Sequence, residues 1–444
     1  MATADRVNPA DSTPTLDTVI IGSGAVTDTA PSPPVRVPAP AEPLVTRPAL
    51  VLLVVLTGSV LLPSPVASPK LMWALTVPLL GLVGNALWRH AGQVRWTTPT
   101  ILLTGVLACG ALSTLHYGTM GGLALTAATA LLLVGCALLA SHCDHAEVTL
   151  LVRGVVLLAL VQLAVALASA MLGMPAPWGY LGTPGTTFET NQLLSVLGGR
   201  STGTMAHPIP FGTLMAAAAA LCLSSATRWP HAVRLLTAMA LCYGVALSGS
   251  RSAALVLGLA LLAGVMTPGV LRVGAAWRTA AALVLSAGVL AVQETELPVV
   301  TGLQGTGSLT HRLAALDAAG RLADRSVEQV LLGSGAESLD DLFAAGLLQL
   351  DGFFAVDNQL VATFAVAGLI GVLALVGAVL VGLVRGHRST RPAALLLVLM
   401  FFSFDVLEWN FTAVLLVVLS VLGSGRPEGR HPSGTTAGER QAAT

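Results

Sequence analysis

Charge is what this chain has least of. Only 10% of its 444 residues are Asp, Glu, Lys or Arg, against about a quarter in an ordinary soluble domain. The 22 basic and 22 acidic side chains cancel, which leaves no global field suited to nucleic acid or a polyanion. Lysine is nearly missing: Lys70 is the only one, and every other base is arginine. The five cysteines (Cys109, Cys136, Cys143, Cys222 and Cys242) show no CxxC spacing and sit in apolar segments or at their ends. Neither a disulfide nor a zinc site is expected from them. P-loop, metal-ligand and Ser/His/Asp patterns are missing too, so no cofactor and no metal are expected. One string near the N-terminus, VIIGSGAV, opens like a dinucleotide fingerprint, but Thr27 stands where the third glycine belongs and no helical pattern follows.

What the chain has is apolar length. Hydrophobic residues make up 54% of it, and about 20 in a row carry a helix across a bilayer. The pattern predicts an all-α polytopic membrane protein with twelve spans. They run at 48–65, 71–88, 97–115, 119–140, 152–173, 210–226, 231–249, 252–268, 276–293, 359–384, 391–406 and 409–423. The Pro-, Ala- and Thr-rich residues 1–46 lack the layout of a secretory signal. They and residues 424–444 read as disordered cytoplasmic tails, flanking a membrane domain over 47–423.

Orientation follows from the arginines. With the N-terminus inside, the short inner loops hold Arg89, Arg95, Arg153, Arg228, Arg234, Arg272, Arg278, Arg385, Arg388 and Arg391, and the short outer loops hold only Lys70 and Arg251. Trp73, Trp88, Trp96, Trp229, Trp277 and Trp409 fall at span ends, as an interfacial belt requires. Two outer connections, 174–209 and 294–358, are far longer than hairpins need, and long ordered loops are commonly functional.

The candidate site residues lie on these outer connections. The first loop ends in GRSTGTMAHPIPFG, where Arg200 and His207 flank Gly203. Prolines 208 and 210 argue against a regular helix there, and backbone N–H groups at the start of the sixth span are candidates to meet an anion. Arg251 stands in the short hairpin LSGSRSA between two uncharged spans, against the inside bias. The second loop carries His311 and Arg312, then Arg321 and Arg325, which have acidic neighbours at helical spacing and read as a solvated face. It continues through GSG at 333–335 and closes with DGFFAVDNQL, placing Asp357 and Asn358 before the tenth span. Asp405 and Glu408 read as hairpin charges, with a second base as the alternative. Several guanidinium groups at one outer cavity suit a diphosphate, and a nearby carboxylate can take a hydroxyl proton.

In this order, GRSTGTMAHPIPFG, ALSGSRSAALVL, Arg312, LLGSG and DNQL followed by VAGLIGVLALV resemble the O-antigen ligase and polymerase family of bacterial envelope glycosyltransferases over roughly residues 190–385. The resemblance implies transfer of a glycan from a polyprenyl diphosphate carrier to a glycan, lipid or protein hydroxyl at the outer face of the cytoplasmic membrane. It needs neither nucleotide sugar nor metal. By the same resemblance, Arg200, Arg251 and Arg312 hold the diphosphate with His207 and Asn358, and Asp357 with Arg312 carries the catalysis. The implied partners are the lipid-linked glycan, the bilayer and the acceptor, together with a chain-length regulator or flippase, and no nucleic acid. Ligases present a histidine where this chain has Asp357, which tilts the reading toward a polymerase. A transporter or flippase of a lipid-linked or anionic substrate, and a membrane scaffold, are the alternatives.

Overall fold

Apolar sequence that must satisfy every backbone N–H and C=O away from water has helix as its simplest solution, and helices dominate the computed structural model. It describes residues 47–183, 188–191, 193–194, 196, 199–224, 226–266, 307–349 and 355–424, without the side chains of Gln93, 188–190, 264–266 and 307–313. The helices are α1 (Pro48–Leu61), α2 (Pro69–Arg89), α3 (Thr98–Tyr117), α4 (Met120–His142), α5 (His145–Leu172), α6 (Pro208–Leu223), α7 (His231–Ser248) and α8 (Arg251–Met266). They continue with α9 (Gly307–Ala323), α10 (Val327–Leu332), α11 (Leu339–Ala344), α12 (Gln359–Arg385), α13 (Arg391–Leu399) and α14 (Asn410–Val421). Strands β1 (Phe188–Thr190) and β2 (Gly199–Arg200) form one small antiparallel pair.

Among the described residues six helices, α2, α3, α4, α5, α7 and α12, are long and apolar enough to cross a membrane. Helices α1, α6, α8, α13 and α14 are apolar but shorter. Every expected apolar segment except 276–293 coincides with one of these; that segment, residues 1–46 and residues 425–444 lie outside the described residues. The expected start of the fifth span at 152 moves back to His145, because the Asp144 side chain accepts from Glu147 N at 2.8 Å and caps the helix there.

Helix α6 is the centre of the bundle, buried from Pro208 through Cys222 except at Ile209. Its run Ala216–Ala220 and its Gly212 let neighbours approach closely: a Cβ on Gly212 would lie 2.6 Å from Ser248 Oγ. Helices α5, α7, α8 and α13 pack around it, while α14, buried from Phe411 to Val421, packs on α1, α4, α12 and α13. On the far flank α3 runs antiparallel to α12, since Gly110 meets Val366 while Gly377 meets Leu102.

The two ends of the bundle differ. At one end the starts of α1, α5 and α7 meet the ends of α6, α12 and α14. There Ala49 N donates to Glu147 Oε2 at 2.7 Å, Ser224 Oγ to the Ser389 carbonyl at 2.5 Å and His387 N to the Leu422 carbonyl at 2.8 Å. This end holds Arg228, Arg234, Arg385, Arg388 and Arg391, and we call it the arginine-rich end. The opposite end gathers the two long connections and the turns before α2, α8 and α14.

Candidate active site

The first long connection folds into the top of the bundle. Thr204 donates through its N–H (2.8 Å) and hydroxyl (3.0 Å) to Oε1 of Gln162, a buried polar side chain inside α5. Gly203 is closely packed: its φ is +56°, and a Cβ there would lie 2.7 Å from Gln162 Oε1. Ala206 also has a positive φ, 57°, a strained conformation for a residue with a side chain. Its carbonyl accepts from Leu181 N at 2.9 Å, so the loop is held at both ends of the strained turn.

That turn aims His207, whose Nδ1 accepts from Ile209 N at 3.2 Å and so caps α6. Prolines 208 and 210 do not prevent the helix; they occupy its first turn, where a missing N–H costs nothing. The same fact corrects the expectation that an anion meets N–H groups here. Two of the first three helical residues have no N–H, and the third, Ile209, is already capped. Burial, and after it the positive charge of Arg200, pull the His207 pKa down to about 3. The ring is therefore neutral, and since Nδ1 accepts, Nε2 carries the hydrogen. It lies between Tyr180 and Trp409, with centroid separations of 5.5 and 5.8 Å.

Arg200 is on β2, and its Nε donates to the Ser248 carbonyl at 2.9 Å, the last residue of α7. Asn191 Nδ2 binds the neighbouring carbonyls of Ala246 and Leu247 at 2.9 and 3.0 Å. The loop thereby supplies the donors that the end of α7 lacks. Gly249, at φ +60°, turns the chain into α8 with Arg251 at its first position. Arg200 and Arg251, 51 residues apart, are thus fixed to one hairpin. Among the described residues the half-buried Arg251 side chain has no hydrogen-bond or ion-pair partner.

Three carboxyls reach the same end. Asp357 and Asn358 precede α12, where Asn358 is buried and its Oδ1 accepts from Leu360 N (3.0 Å) and Val361 N (3.2 Å). Its carbonyl oxygen is thus committed to capping the helix. The turn between α13 and α14 contributes Asp405 and Glu408. Asp405 Oδ1 accepts from Leu407 N at 3.0 Å and Glu408 N at 3.1 Å, yet burial, then the neighbouring Glu408, raise its pKa to about 8. Glu408 is raised as well, by desolvation and then by the charge of Asp357. Its side chain is exposed. Sequence reading left Asp405 and Glu408 as hairpin charges; the fold sets Glu408 beside Asp357. Their turn is tied down by Ser64, which donates to the Glu408 carbonyl at 2.5 Å and accepts from Asn410 N at 3.0 Å.

The second long connection covers α12. Helix α12 breaks at Gly368 (φ 67°, ψ −171°), which deprives the carbonyls before the break of their helical donors. The GSG segment supplies replacements: Ser334 N donates to Ala365 O at 2.8 Å and Gly335 N to Val366 O at 3.0 Å. Arg325 supplies more, with Nη2 to Phe364 O at 3.0 Å and Nη1 to Ala365 O at 3.2 Å. Arg321 Nη2 donates to Leu348 O at 2.6 Å. These two arginines are therefore not a solvated face; they hold backbone carbonyls, and burial lowers the Arg325 pKa. Ala318, Leu322, Leu342, Phe343 and Leu348 form a small second core against Val361, Ala362 and Ala365 of α12. Arg312 lies in α9, its side chain outside the described residues, as is that of His311.

The structure thus gathers Arg200, His207, Arg251, Asp357 and Asn358 at one end and adds Asp405 and Glu408. Among the described residues no group of three or more His, Cys, Asp or Glu side chains is arranged to hold a metal ion. No model of a known protein family matches the chain, and no curated protein matches it either.

Proposed function

We propose that the chain is a glycosyltransferase of the bacterial cytoplasmic membrane that polymerises repeat units from a polyprenyl diphosphate carrier, with ligation of a finished glycan as the close alternative. The reading takes the arginine-rich end as cytoplasmic. Both termini are then cytoplasmic, and the loop-covered end faces outward. One observation carries the reading: two arginines far apart in sequence share a hairpin at the bundle end that also receives Asp357.

In this reaction an acceptor hydroxyl attacks the anomeric carbon from the face opposite the diphosphate. The new C–O bond forms as the bond to the diphosphate oxygen breaks, and the electron pair leaves with the diphosphate. Guanidinium groups of Arg200, Arg251 and Arg312 bind the phosphate oxygens in paired geometry as negative charge builds on them. Neutral His207 offers an N–H donor from Nε2. Asp357 takes the hydroxyl proton, and configuration at the anomeric carbon inverts.

The broken helix α12 favours a second reading, a transporter of a lipid-linked or anionic substrate, because interrupted helices build many transporter sites. Against it, the carbonyls before the break are occupied by Arg325 and the 334–335 backbone. Deletion of the gene with analysis of surface glycan and lipid-linked intermediates separates the readings. A polymerase leaves single repeats on the carrier outside; a ligase leaves full-length chains there. A transporter leaves its substrate on the cytoplasmic side, and that outcome contradicts the proposal.

A further inference from the structure

Gln359, the third residue of the DNQL string, is only 1% exposed and joins two elements that sequence keeps 48 residues apart. Its Nε2 donates to Thr363 Oγ1 at 2.9 Å, within its own helix. Its Oε1 accepts from Leu407 N at 2.7 Å, in the turn before α14. Its amide also favours the charged form of the Asp405 carboxyl. A buried polar side chain with its amide satisfied on both sides fixes the relative position of what it joins. Here it joins Asp357, two residues upstream on the approach to α12, to the turn that carries Asp405 and Glu408.

We propose that Gln359 is a positioning residue that holds the 403–409 turn against α12, so that the turn packs beside the approach on which Asp357 takes the acceptor's proton. This rests on the glycosyltransferase reading for the source of the proton. The step balances: the hydroxyl proton goes to the Asp357 carboxylate and then to solvent, while the electron pair of the broken bond stays on the diphosphate. Asp405 sits behind, its carboxyl accepting from two backbone N–H groups. Burial, and after it the charge of Glu408, favour its protonated form. The charged or titratable groups facing the pair from other elements are Asp357 and, against the adjoining Trp409, His207 at the start of α6.

The test uses the full chain in lipid nanodiscs and two readouts. The first is the infrared carbonyl band of protonated carboxyl groups, followed through pH. The second is the pH profile of glycan transfer from a synthetic lipid-linked repeat. Wild type should show a band that titrates above the usual carboxylate range and is lost in Asp405→Asn. Gln359→Leu should move that titration to higher pH, because an amide that favours the carboxylate is gone, and should lower transfer by about 100-fold with donor binding retained. Asp405→Asn keeps an acceptor for both backbone N–H groups, so it serves if Gln359→Leu does not fold; it should flatten the alkaline limb of the transfer profile. If transfer proceeds normally and neither the band nor the profile moves in the variants, the positioning role is wrong while the glycosyltransferase reading stands. If the band moves as described but wild type transfers no glycan, the hydrogen-bonded linkage stands and the glycosyltransferase reading falls.

Discussion

Arg251, at the loop-covered end, differs from the arginines at the arginine-rich end of this bundle. There arginine closes helices, as Arg200 closes α7 at the other end: Arg234 donates to the Cys222 and Leu223 carbonyls that end α6, and Arg391 to Val384 and Gly386 at the end of α12. Inside α5, Arg153 Nε reaches the Thr227 carbonyl at 2.8 Å. These guanidiniums satisfy carbonyls that a helix C-terminus leaves open. At the loop-covered end Arg251 begins a helix, where the dipole opposes a positive charge, and no partner among the described residues compensates it. The carboxyls divide in the same sense. Glu147 caps α1 at the arginine-rich end, whereas Asp405 and Glu408 at the other end are held in surroundings that raise their pKa. His387 at the arginine-rich end is also shifted, downward by burial and then by His145, Arg228 and Arg391, but the raised carboxyls gather at the loop-covered end, and shifted groups cluster at functional sites.

The largest way to break this comparison is Asp357→Asn. It should cut transfer by about 10²–10⁴-fold, the usual worth of a general base, with binding of the lipid-linked donor intact. Next comes Arg325→Met, which leaves the carbonyls before the Gly368 break short of donors. It should destabilise the fold by on the order of 3 kcal/mol and open residues 307–349 to protease, a structural loss that separates Arg325 from Arg251. A smaller effect concerns His207. Its ring stays neutral in the folded chain down to about pH 3, while an unfolded histidine takes a proton near 6.5. As pH falls through that window the unfolded state binds more protons, so stability declines. His207→Asn keeps a capping side chain and should flatten the decline in melting temperature. The smallest effect is that of Arg391→Lys at the arginine-rich end: a stability change under about 1 kcal/mol and unaltered transfer per folded molecule.

The helices were legible because hydropathy reports burial and lipid exposure alike, and both demand helix. Arg200, Arg251 and Asp357 drew notice because a charge beside an apolar span stands out, and the fold brings them to one end of the bundle. Arg321 and Arg325 were misread. Acidic neighbours at helical spacing, such as Asp317, suggested a solvated face, and nothing local announced that α12 would break at Gly368 and present carbonyls to them. Glycine is common in apolar spans, so the break had no distinct signal. Asp405 and Glu408 were visible as charges, but their relation to Asp357 depends on Gln359 linking two segments far apart in sequence. The one available clue was their place next to Trp409, among the apolar residues Phe404, Val406 and Leu407.

The account stands most directly on one measurement: transfer from a synthetic polyprenyl diphosphate repeat by purified protein in lipid vesicles, comparing Arg251→Lys with Arg391→Lys. Lysine keeps the charge at position 251 but cannot form the paired bonds of a guanidinium, so that variant should lose about 100-fold in rate while the variant at 391 keeps the wild-type rate. Equal rates in the two variants would contradict the assignment of diphosphate binding to the Arg251 end.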